Sequence, residues 1–354
     1  MLPCLDLFSG IGGNSLALRS ILTTIAYCEI DPFATSILQN NMRRGKLDVA
    51  PIFPDVTKLQ AKDLMSLPVP PTVITASFPC QDISAAGAGE GLDGDRSGLV
   101  SHVFRLIDQF DRARNKHKVR HVFMENSPFI RTRGLDTIIE AFEKRGFTCN
   151  CTFLSARDVG AMHTRRRWFM IASRNLADLP LAKAVKYAFD KLDAVPRLVK
   201  DPSPADKRAA RSRYGALGNS VVPSAVAAAW NVIVSGKEIE KRSDEDSLPM
   251  LSFADGRTMR LWATPVRSNT HFYPAARIDG RHFRSLGNQM FHELGTKRRF
   301  GYEDVQVAKI PYMINPQWVE VLMGYPKEWT RLARLLARRR SVEPCELPLQ
   351  SGQR

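Results

Sequence analysis

The chain has 354 residues, of which 44% are hydrophobic and 25% charged, a composition typical of a folded protein with a full apolar core. No run reaches the roughly 18 apolar residues that a membrane helix needs, and no secretory signal is visible, so we expect no membrane partner. The 51 Lys and Arg residues exceed the 36 Asp and Glu residues, and the formal net charge of +15 favours encounter with polyanions such as nucleic acids.

The first 175 residues alternate short apolar runs with helical patterns, which predicts a parallel sheet built from βαβ units. The predicted strands are 2–8, 24–29, 73–77, 119–125 and 167–172, with a short additional strand that ends near residue 55. The predicted helices are 14–22, 32–41, 98–112 and 134–144.

The pattern becomes less regular in the second half of the chain. Residues 178–213 are predicted to be irregular in part, whereas residues 218–223 are predicted to open an Ala-rich helix that runs to about residue 234. We therefore divide the chain into a first domain at 1–236, a charged linker at 237–247, a region without helical periodicity at 248–330, and a basic tail at 331–354 whose residues 331–340 are predicted as an amphipathic helix.

The six cysteines lack the paired spacing of a zinc site, so we expect no metal. Cys149 and Cys151 are separated by a single residue, which is typical of alternation in a strand. Without a secretory signal, reduced thiols in the cytoplasm, or in the nucleus of a host cell, are expected.

A glycine-rich turn at residues 9–13 connects the first predicted strand to the first predicted helix. Glycines there let the backbone turn tightly and approach a ligand closely, although the spacing is not the G-x-G-x-x-G of a dinucleotide site. Glu29 ends the second predicted strand, where it is placed to bind ribose hydroxyls. Asp55 follows the third, where it can accept from an adenine amino group. Together these residues predict a site for an adenosine-containing ligand.

Cys80 directly follows an apolar strand, at the edge where doubly wound sheets place their sites. Its neighbours Pro79 and Gln81 are not core residues, which favours a reactive cysteine over a structural one. Nearby positive charge or helix-terminal amides would stabilise the thiolate form of such a cysteine. Residues 85–98 contain five glycines and are predicted to form a mobile loop over the site.

Several short motifs occur together in one order. They are DLFSGIGG at 6–13, PCQ at 79–81, DRSGL at 95–99, EN at 125–126, RRR at 165–167 and GNSVVP at 218–223. In this combination the chain resembles the C5-cytosine DNA methyltransferase family. The resemblance implies a doubly wound, mostly parallel α/β sheet of the class I S-adenosylmethionine-dependent methyltransferase type, with a smaller irregular C-terminal recognition region. It also implies S-adenosylmethionine as methyl donor and cytosine in double-stranded DNA as substrate.

The resemblance assigns the reaction to four side chains. It implies that the Cys80 thiolate adds to carbon 6 of cytosine and that Glu125 hydrogen-bonds N3 and the exocyclic amine. We expect Arg165 to hold the base's O2 and favour the thiolate, and Arg167 to support the loop.

The resemblance also assigns the donor site. The Phe8 ring is expected to pack on the adenosine, Leu99 to lie beside it, and Asn219 to return to the pocket, although Gly218-Asn219 is equally a helix N-terminal signal. The implied donor-binding residues are Phe8, Gly10, Gly12, Gly13, Glu29, Ile30, Asp55, Leu99 and Asn219.

Reaching carbon 6 requires the target base to leave the stack, so DNA contacts must offset a few kcal/mol. Residues 255–299 carry nine Lys and Arg residues, with Phe272, Tyr273, Phe283 and Phe291 interleaved among them. We favour base and phosphate recognition over a solvated basic face. The predicted DNA-binding residues are Gln81, Ser84, Arg277, Arg281 and Arg284.

The chain departs from the family in the order of its motifs. NPQW at 315–318 and LMGYP at 322–326 resemble a late family motif that normally precedes the block at 218–223, so we predict a reordered C-terminal half with target recognition at 248–330. His163 stands where the family commonly has Gln, and Ser127 where it commonly has Val.

Two alternatives remain open at this point. One branch of the family methylates tRNA with the same catalytic parts, and a catalytically silent relative would act as a DNA-binding regulator. The basic and aromatic C-terminal region favours DNA over tRNA, and the presence of Cys80, Glu125, Arg165 and Gly10 favours an active enzyme. A monomer that works on one strand is the simplest expectation.

Overall fold

A seven-stranded sheet forms the centre of the computed structural model. The residues described are 1–79, 99–113, 117–132, 134–185, 195–196, 198–239, 250–252, 258–260 and 312–332. The predictions for Cys80, Gln81, Ser84, Arg277, Arg281 and Arg284, and for the tail helix beyond residue 332, lie outside the described residues.

The strands of the central sheet follow the predicted alternation closely. They are β1 (Leu2–Leu7), β2 (Leu22–Cys28), β3 (Ile52–Phe53), β4 (Val73–Ala76), β5 (His121–Asn126), β6 (Thr148–Ser155) and β7 (Arg166–Ser173). Their order is β3-β2-β1-β4-β5-β7-β6, and β7 runs antiparallel to both of its neighbours while the other pairings are parallel. The predicted doubly wound, mostly parallel sheet is therefore confirmed.

Helices connect the strands and cover the sheet. They are α1 (Gly13–Leu18), α2 (Pro32–Arg43), α3 (Ala61–Met65), α4 (Leu99–Arg112), α5 (Leu135–Glu143), α6 (Pro204–Asn219), α7 (Pro223–Ser235) and α8 (Pro316–Leu322), with short 3₁₀ turns at Pro128–Thr132, Ala156–Val159 and Leu176–Asp178. Asp31 begins α2 because its carboxylate accepts from the backbone N–H groups of Phe33 at 2.7 Å and Ala34 at 3.0 Å.

Apolar side chains pack on both faces of the sheet. Along β5, Val122 and Met124 belong to one buried cluster and Phe123 to the other, the alternation expected of a strand covered on both sides. Within the described residues one stretch, Pro204–Ser235, is long and apolar enough to cross a membrane by length and composition alone, and 72% of its most apolar window is buried inside the molecule.

Two local predictions are wrong. The first helix ends at Leu18 rather than 22, because Leu22 already pairs with Leu2 in the sheet. The span 178–213 is irregular in part, as predicted, at residues 179–185. Its last ten residues are helical, because α6 begins at Pro204 with a reciprocal cap in which the Ser203 hydroxyl accepts from the Asp206 N–H and the Asp206 carboxylate accepts from the Ser203 N–H. Residues 218–219 consequently end α6 instead of opening a helix, and α7 begins at Pro223.

The segment 312–332 packs into the core of the first domain. Trp318 and Trp329 are fully buried in the same cluster as Ile11 and Val221, although the sequence assigns residues 312–330 to a separate recognition region without helices. The segment instead contains α8 and the strand β11 (Tyr312–Ile314), which pairs antiparallel with β8 (Leu198–Lys200). The predicted boundaries therefore do not hold for this part of the chain.

A buried charge pair explains why this segment docks. Glu320 is fully buried, and its carboxylate lies 2.7 Å from the Arg213 guanidinium and accepts from the Thr330 N–H at 2.8 Å. A carboxylate without such partners would be costly to bury, so the pair ties α8 to α6.

A separate pair of short strands, β9 (Met250–Ser252) and β10 (Thr258–Arg260), is antiparallel.

His163 links the same segment to the entrance of β7 and makes stability depend on pH. Its ring is fully buried, and Nε2 donates to the Leu322 carbonyl at 3.1 Å. Burial, and secondly the charge of Arg165, lowers the pKa of His163 to about 3. Because the folded-state pKa lies below the unfolded value, the stabilisation is present above about pH 6.5 and is lost as the pH falls.

We predict that His163→Gln, which still offers an N–H to Leu322, leaves the unfolding free energy near neutral pH within about 1 kcal/mol of the wild-type value. At about pH 4.5 the variant should be more stable than the wild type by about 3 kcal/mol, since Gln cannot be protonated. Urea denaturation at both pH values measures the difference. Parallel pH profiles for the two proteins would contradict the assignment.

Candidate active site

The turn after β1 requires glycines and holds one strained residue. Phe8 adopts a φ of 55°, a left-handed conformation that bulky residues rarely occupy and that clusters at functional sites. Gly10 and Gly12 also have positive φ values, 53° and 82°. A Cβ at Gly12 would lie 2.7 Å from Leu47, so the turn is closely packed on its inner side. The backbone is thereby bent sharply at the carboxyl end of β1.

The carboxylate of Glu29 closes this turn from the neighbouring strand. Its two oxygens accept from the backbone N–H groups of Gly10 at 2.6 Å and Asp31 at 2.7 Å. Burial raises the pKa of Glu29 above its ordinary value. The next residue, Ile30, is 76% exposed, which is unusual for a large apolar side chain at the end of a buried strand. A carboxylate and an exposed apolar side chain thus stand together at the sheet edge.

Asp55 follows β3, the strand beside β2, so Glu29 and Asp55 share the carboxyl edge as the sequence predicts. The Asp55 carboxylate accepts from the backbone N–H of Thr57 at 2.9 Å and from its hydroxyl at 2.7 Å, and these bonds lower the pKa of Asp55. The carboxylate is therefore ionised and held in place. Leu99, the first residue of α4, is partly buried against the adjacent apolar cluster.

Asn219 occupies a different setting from the one predicted. It is the last residue of α6 and its side chain is exposed, while its neighbours Gly218 and Ser220 are buried. Its predicted contact with a donor stays a prediction.

Glu125 and Arg167 form the ion pair at the centre of the site. Glu125 is 7% exposed at the end of β5, and its Oε1 lies 3.1 Å from Nε of Arg167. The register of the antiparallel β5–β7 pair sets Glu125 opposite Phe169, so Arg167 lies two residues away on the same face. The sequence interpretation gave Arg167 only a supporting place in the loop, whereas the structure brings it to the carboxylate.

Arg165 instead holds backbone. It is 5% exposed, and its guanidinium donates to the carbonyls of Gly218 at 3.1 Å and Ser220 at 2.6 Å. These bonds attach the entrance of β7 to the connection between α6 and α7. Arg165 thus has a structural role in this connection, and its expected contact with the base's O2 stays a prediction.

Two asparagines hold the strand that leads into Cys80. The Asn126 amide donates to the Phe78 carbonyl at 3.1 Å, and the Asn14 amide donates to the Ser77 hydroxyl at 3.1 Å. The first bond joins the residue after Glu125 to the residue two before Cys80. The sequence motif contained Asn126 but gave no sign of its partner, because the two residues are far apart along the chain.

Asp6 organises the interior of the same edge. Its buried carboxylate accepts from Thr75 at 2.6 Å, Ser15 at 2.9 Å and Asn14 at 3.4 Å, and burial raises the pKa of Asp6 to about 6. The network connects β1, α1 and β4, the three elements that carry the glycine turn and the approach to Cys80. Asp6 is the first residue of the DLFSGIGG motif, but the spacing of the motif does not predict which side chains hydrogen-bond to its carboxylate.

The chain is a class I methyltransferase-type α/β protein. This class is defined here by the sheet order with one reversed strand, the glycine turn after β1 and the carboxylates after β2 and β3. The model of the C-5 cytosine-specific DNA methylase family matches residues 2–330. The chain therefore belongs to the C-5 cytosine-specific DNA methylase family.

Relatives by sequence agree with this assignment, and a solved structure shares the fold. The chain is 36% identical over 171 residues to the Type II methyltransferase M.CviJI of Paramecium bursaria Chlorella virus IL3A, a match over 48% of this chain and 42% of the relative. It is 33% identical over 173 residues to M2.BsuMI of Bacillus subtilis, over 48% and 41%. The chain thus spans about two fifths of the length of these relatives. A Spodoptera frugiperda DNMT2 triple mutant shares the fold, with a TM-score of 0.51 and 16% identity over 94% of this chain and 92% of that one.

We predict that Gly13→Ala lowers the unfolding free energy by about 1–3 kcal/mol, because the added Cβ would overlap the Tyr325 hydroxyl and a Val221 methyl group. Removing that hydroxyl in the double variant with Tyr325→Phe should recover part of the loss, and a double-mutant cycle in urea measures the coupling. Gly45→Ala has open space around the added Cβ but a φ of 63°, so it shows the cost of backbone strain without steric overlap. Additive losses would contradict the packing.

Proposed function

We propose that the chain is a DNA cytosine-5 methyltransferase with Cys80 as nucleophile and S-adenosylmethionine as methyl donor. One observation carries the proposal. The Glu125–Arg167 ion pair stands beside Asn126, whose amide donates to the Phe78 carbonyl. The segment that leads into Cys80 is therefore held at the end of the sheet where this carboxylate and guanidinium stand.

The residues around the glycine turn fit the donor. Gly10 and Gly12 add no side chains to the turn, so a ligand can approach its backbone at these two positions. The Glu29 carboxylate can accept from two ribose hydroxyls, and the exposed Ile30 offers an apolar surface for adenine. Asp55 supplies an acceptor for the adenine amino group. When bound, S-adenosylmethionine supplies an electrophilic methyl group. Phe8, Gly13, Leu99 and Asn219 complete the proposed set.

Cys80 starts the chemistry. Its thiolate adds to carbon 6 of the flipped cytosine, and the electron pair of the 5,6 double bond shifts so that carbon 5 becomes nucleophilic. After carbon 5 has gained the methyl group, its proton leaves to a base such as water. The resulting elimination breaks the carbon–sulfur bond and returns the thiolate.

Glu125 and Arg167 stabilise the ring during this sequence. The Glu125 carboxyl group hydrogen-bonds N3 and the exocyclic amine, where charge develops after the thiolate adds. Arg167 lies 3.1 Å from Glu125 and orients that carboxyl group, and it places positive charge beside the base. Arg165 keeps the α6–α7 connection in place through two carbonyls.

Double-stranded DNA is the proposed macromolecular substrate, and the enzyme acts as a monomer without a metal in the cytoplasm or a host nucleus. The formal charge of +15 supports attraction to phosphates. Target recognition belongs to residues 248–311. This range is shorter than the predicted 248–330, because the segment from residue 312 onward packs into the core. Within this proposal Arg277, Arg281 and Arg284 contact DNA from that region, and Gln81 and Ser84 contact it beside the nucleophile.

A duplex containing 5-fluorocytosine tests the chemistry. Fluorine on carbon 5 prevents the final proton loss, so the wild-type protein with S-adenosylmethionine should form an adduct that survives denaturing electrophoresis. Cys80→Ser should form none. Arg167→Ala should form it about 100-fold more slowly, whereas Arg166→Ala, the exposed neighbour of equal charge, should stay within a few-fold of wild type.

The outcomes separate the alternatives. An adduct in Cys80→Ser, or none in the wild type at its own target sequence, would refute the proposed nucleophile. Incubation with labelled donor and either duplex DNA or tRNA distinguishes the two nucleic acid substrates, because only the true substrate should incorporate label.

We further predict that replacing residues 261–311 with a short glycine-serine linker abolishes sequence-specific methylation and retains donor binding. The donor turn and segment 312–332 stay intact in this variant, whereas deletion of everything after residue 247 would remove buried core residues. Bisulfite sequencing of DNA from expressing cells measures specificity, and calorimetry with S-adenosylmethionine measures binding. Methylation at the wild-type sites in the variant would exclude this region as the recognition element.

A further inference from the structure

We infer that the C-terminal segment 323–331 positions the methyl-donor turn, and that Trp329 is the residue through which it acts. The indole N–H of Trp329 donates to the backbone carbonyl of Ile11 at 2.8 Å. Ile11 lies inside the glycine turn 9–13, so the bond restrains the turn itself. The inference rests on the proposed binding of S-adenosylmethionine at this turn and makes Trp329 a positioning residue.

A second aromatic residue of the segment supports the turn from the same side. The Tyr325 hydroxyl donates to the Val221 carbonyl at 3.0 Å, and it occupies the space that a Cβ on Gly13 would need. The rings of Tyr325 and Trp329 lie 5.6 Å apart between centroids, and both side chains are buried. The end of the glycine turn therefore rests against a packed aromatic pair.

The other side of the segment is held by α2. The Asn41 amide donates to the Trp329 carbonyl at 3.1 Å, and the Arg44 guanidinium donates to the Glu328 carbonyl at 2.8 Å. Helix α2 begins directly after Glu29 and Ile30. The segment thus bridges the turn after β1 and the helix that follows the proposed donor residues Glu29 and Ile30.

The segment is rigid because a buried carboxylate fixes its backbone. Glu320 accepts from the N–H groups of Glu328 at 2.6 Å and Thr330 at 2.8 Å while paired with Arg213 at 2.7 Å. Trp329 lies between Glu328 and Thr330 in the chain, so the two hydrogen bonds fix the backbone that carries its indole. Losing its hydrogen bond frees the turn to move, and the donor must then order the turn on binding.

A loosened turn should weaken donor binding and leave the chemical step unchanged. Trp329→Phe should raise the Kd for S-adenosylmethionine about fivefold, the equivalent of one net hydrogen bond, with kcat at saturating donor within about twofold of wild type. Trp230→Phe is the matched control, because Trp230 is also fully buried in the same cluster and its indole donates to the Pro180 carbonyl at 2.9 Å. Its Kd should stay within about twofold.

A second pair of variants covers the case in which Trp329→Phe does not fold. Arg44→Ala removes the bond to the Glu328 carbonyl, whereas Arg43→Ala removes only a bond to Gln39 of its own helix, and both side chains are exposed. Arg44→Ala should raise the donor Kd about two- to threefold and Arg43→Ala should not change it.

Isothermal titration of the full chain with S-adenosylmethionine gives the Kd values, and steady-state methylation of duplex DNA gives the kcat values. A wild-type protein that does not bind the donor would overturn the proposed function. A wild-type protein that binds, together with an unchanged Kd in folded Trp329→Phe or an equal rise in Trp230→Phe, would overturn the role of Trp329 alone. If Trp329→Phe is unfolded, equal Kd values for Arg44→Ala and Arg43→Ala would do the same.

Discussion

The antiparallel insertion of β7 between β5 and β6 is the constraint on which the catalytic side of the site depends. The register sets Glu125 opposite Phe169, and the alternation of a strand then places Arg167 on the same face. A register slip of one residue would turn Arg167 to the opposite face of the sheet, away from Glu125. Trp168 and Phe169 prevent that slip, since they are buried in apolar clusters on opposite faces.

The donor side depends on close packing behind a strained turn. Phe8 and two glycines adopt positive φ values there, and a conformation of this kind persists only when its surroundings hold it in place. Those surroundings come from distant parts of the chain, namely the Glu29 carboxylate, the Asp6 network and the aromatic pair of segment 323–331. These contacts offset the conformational strain of the turn. They come from behind it, so the backbone at Gly10 stays open to a ligand.

The sequence predicted what depends on local pattern and missed what depends on distance. Strand periodicity and the glycine turn located the sheet and its active edge, and the carboxylates Glu29 and Asp55 came into register as expected. The ion-pair partner of Glu125 could not be singled out among three consecutive arginines, because the strand register decides which of them faces the carboxylate. The cap formed by Ser203 and Asp206 was present in the sequence as a signal and explains the helix that the prediction placed too late.

The proposed reordering of the C-terminal half is compatible with these long-range contacts. The contact between Trp329 and Ile11 joins positions at opposite ends of the chain, and such a contact is indifferent to the order in which other segments occur between them. Both edges of the intervening region are anchored, because α7 is buried and β11 pairs with β8. Closing a loop between fixed ends costs only about 0.6 kcal/mol more for each doubling of its length. The region between residues 239 and 312, which we propose for target recognition, can therefore vary in length while the glycine turn and the Glu125–Arg167 pair keep their geometry.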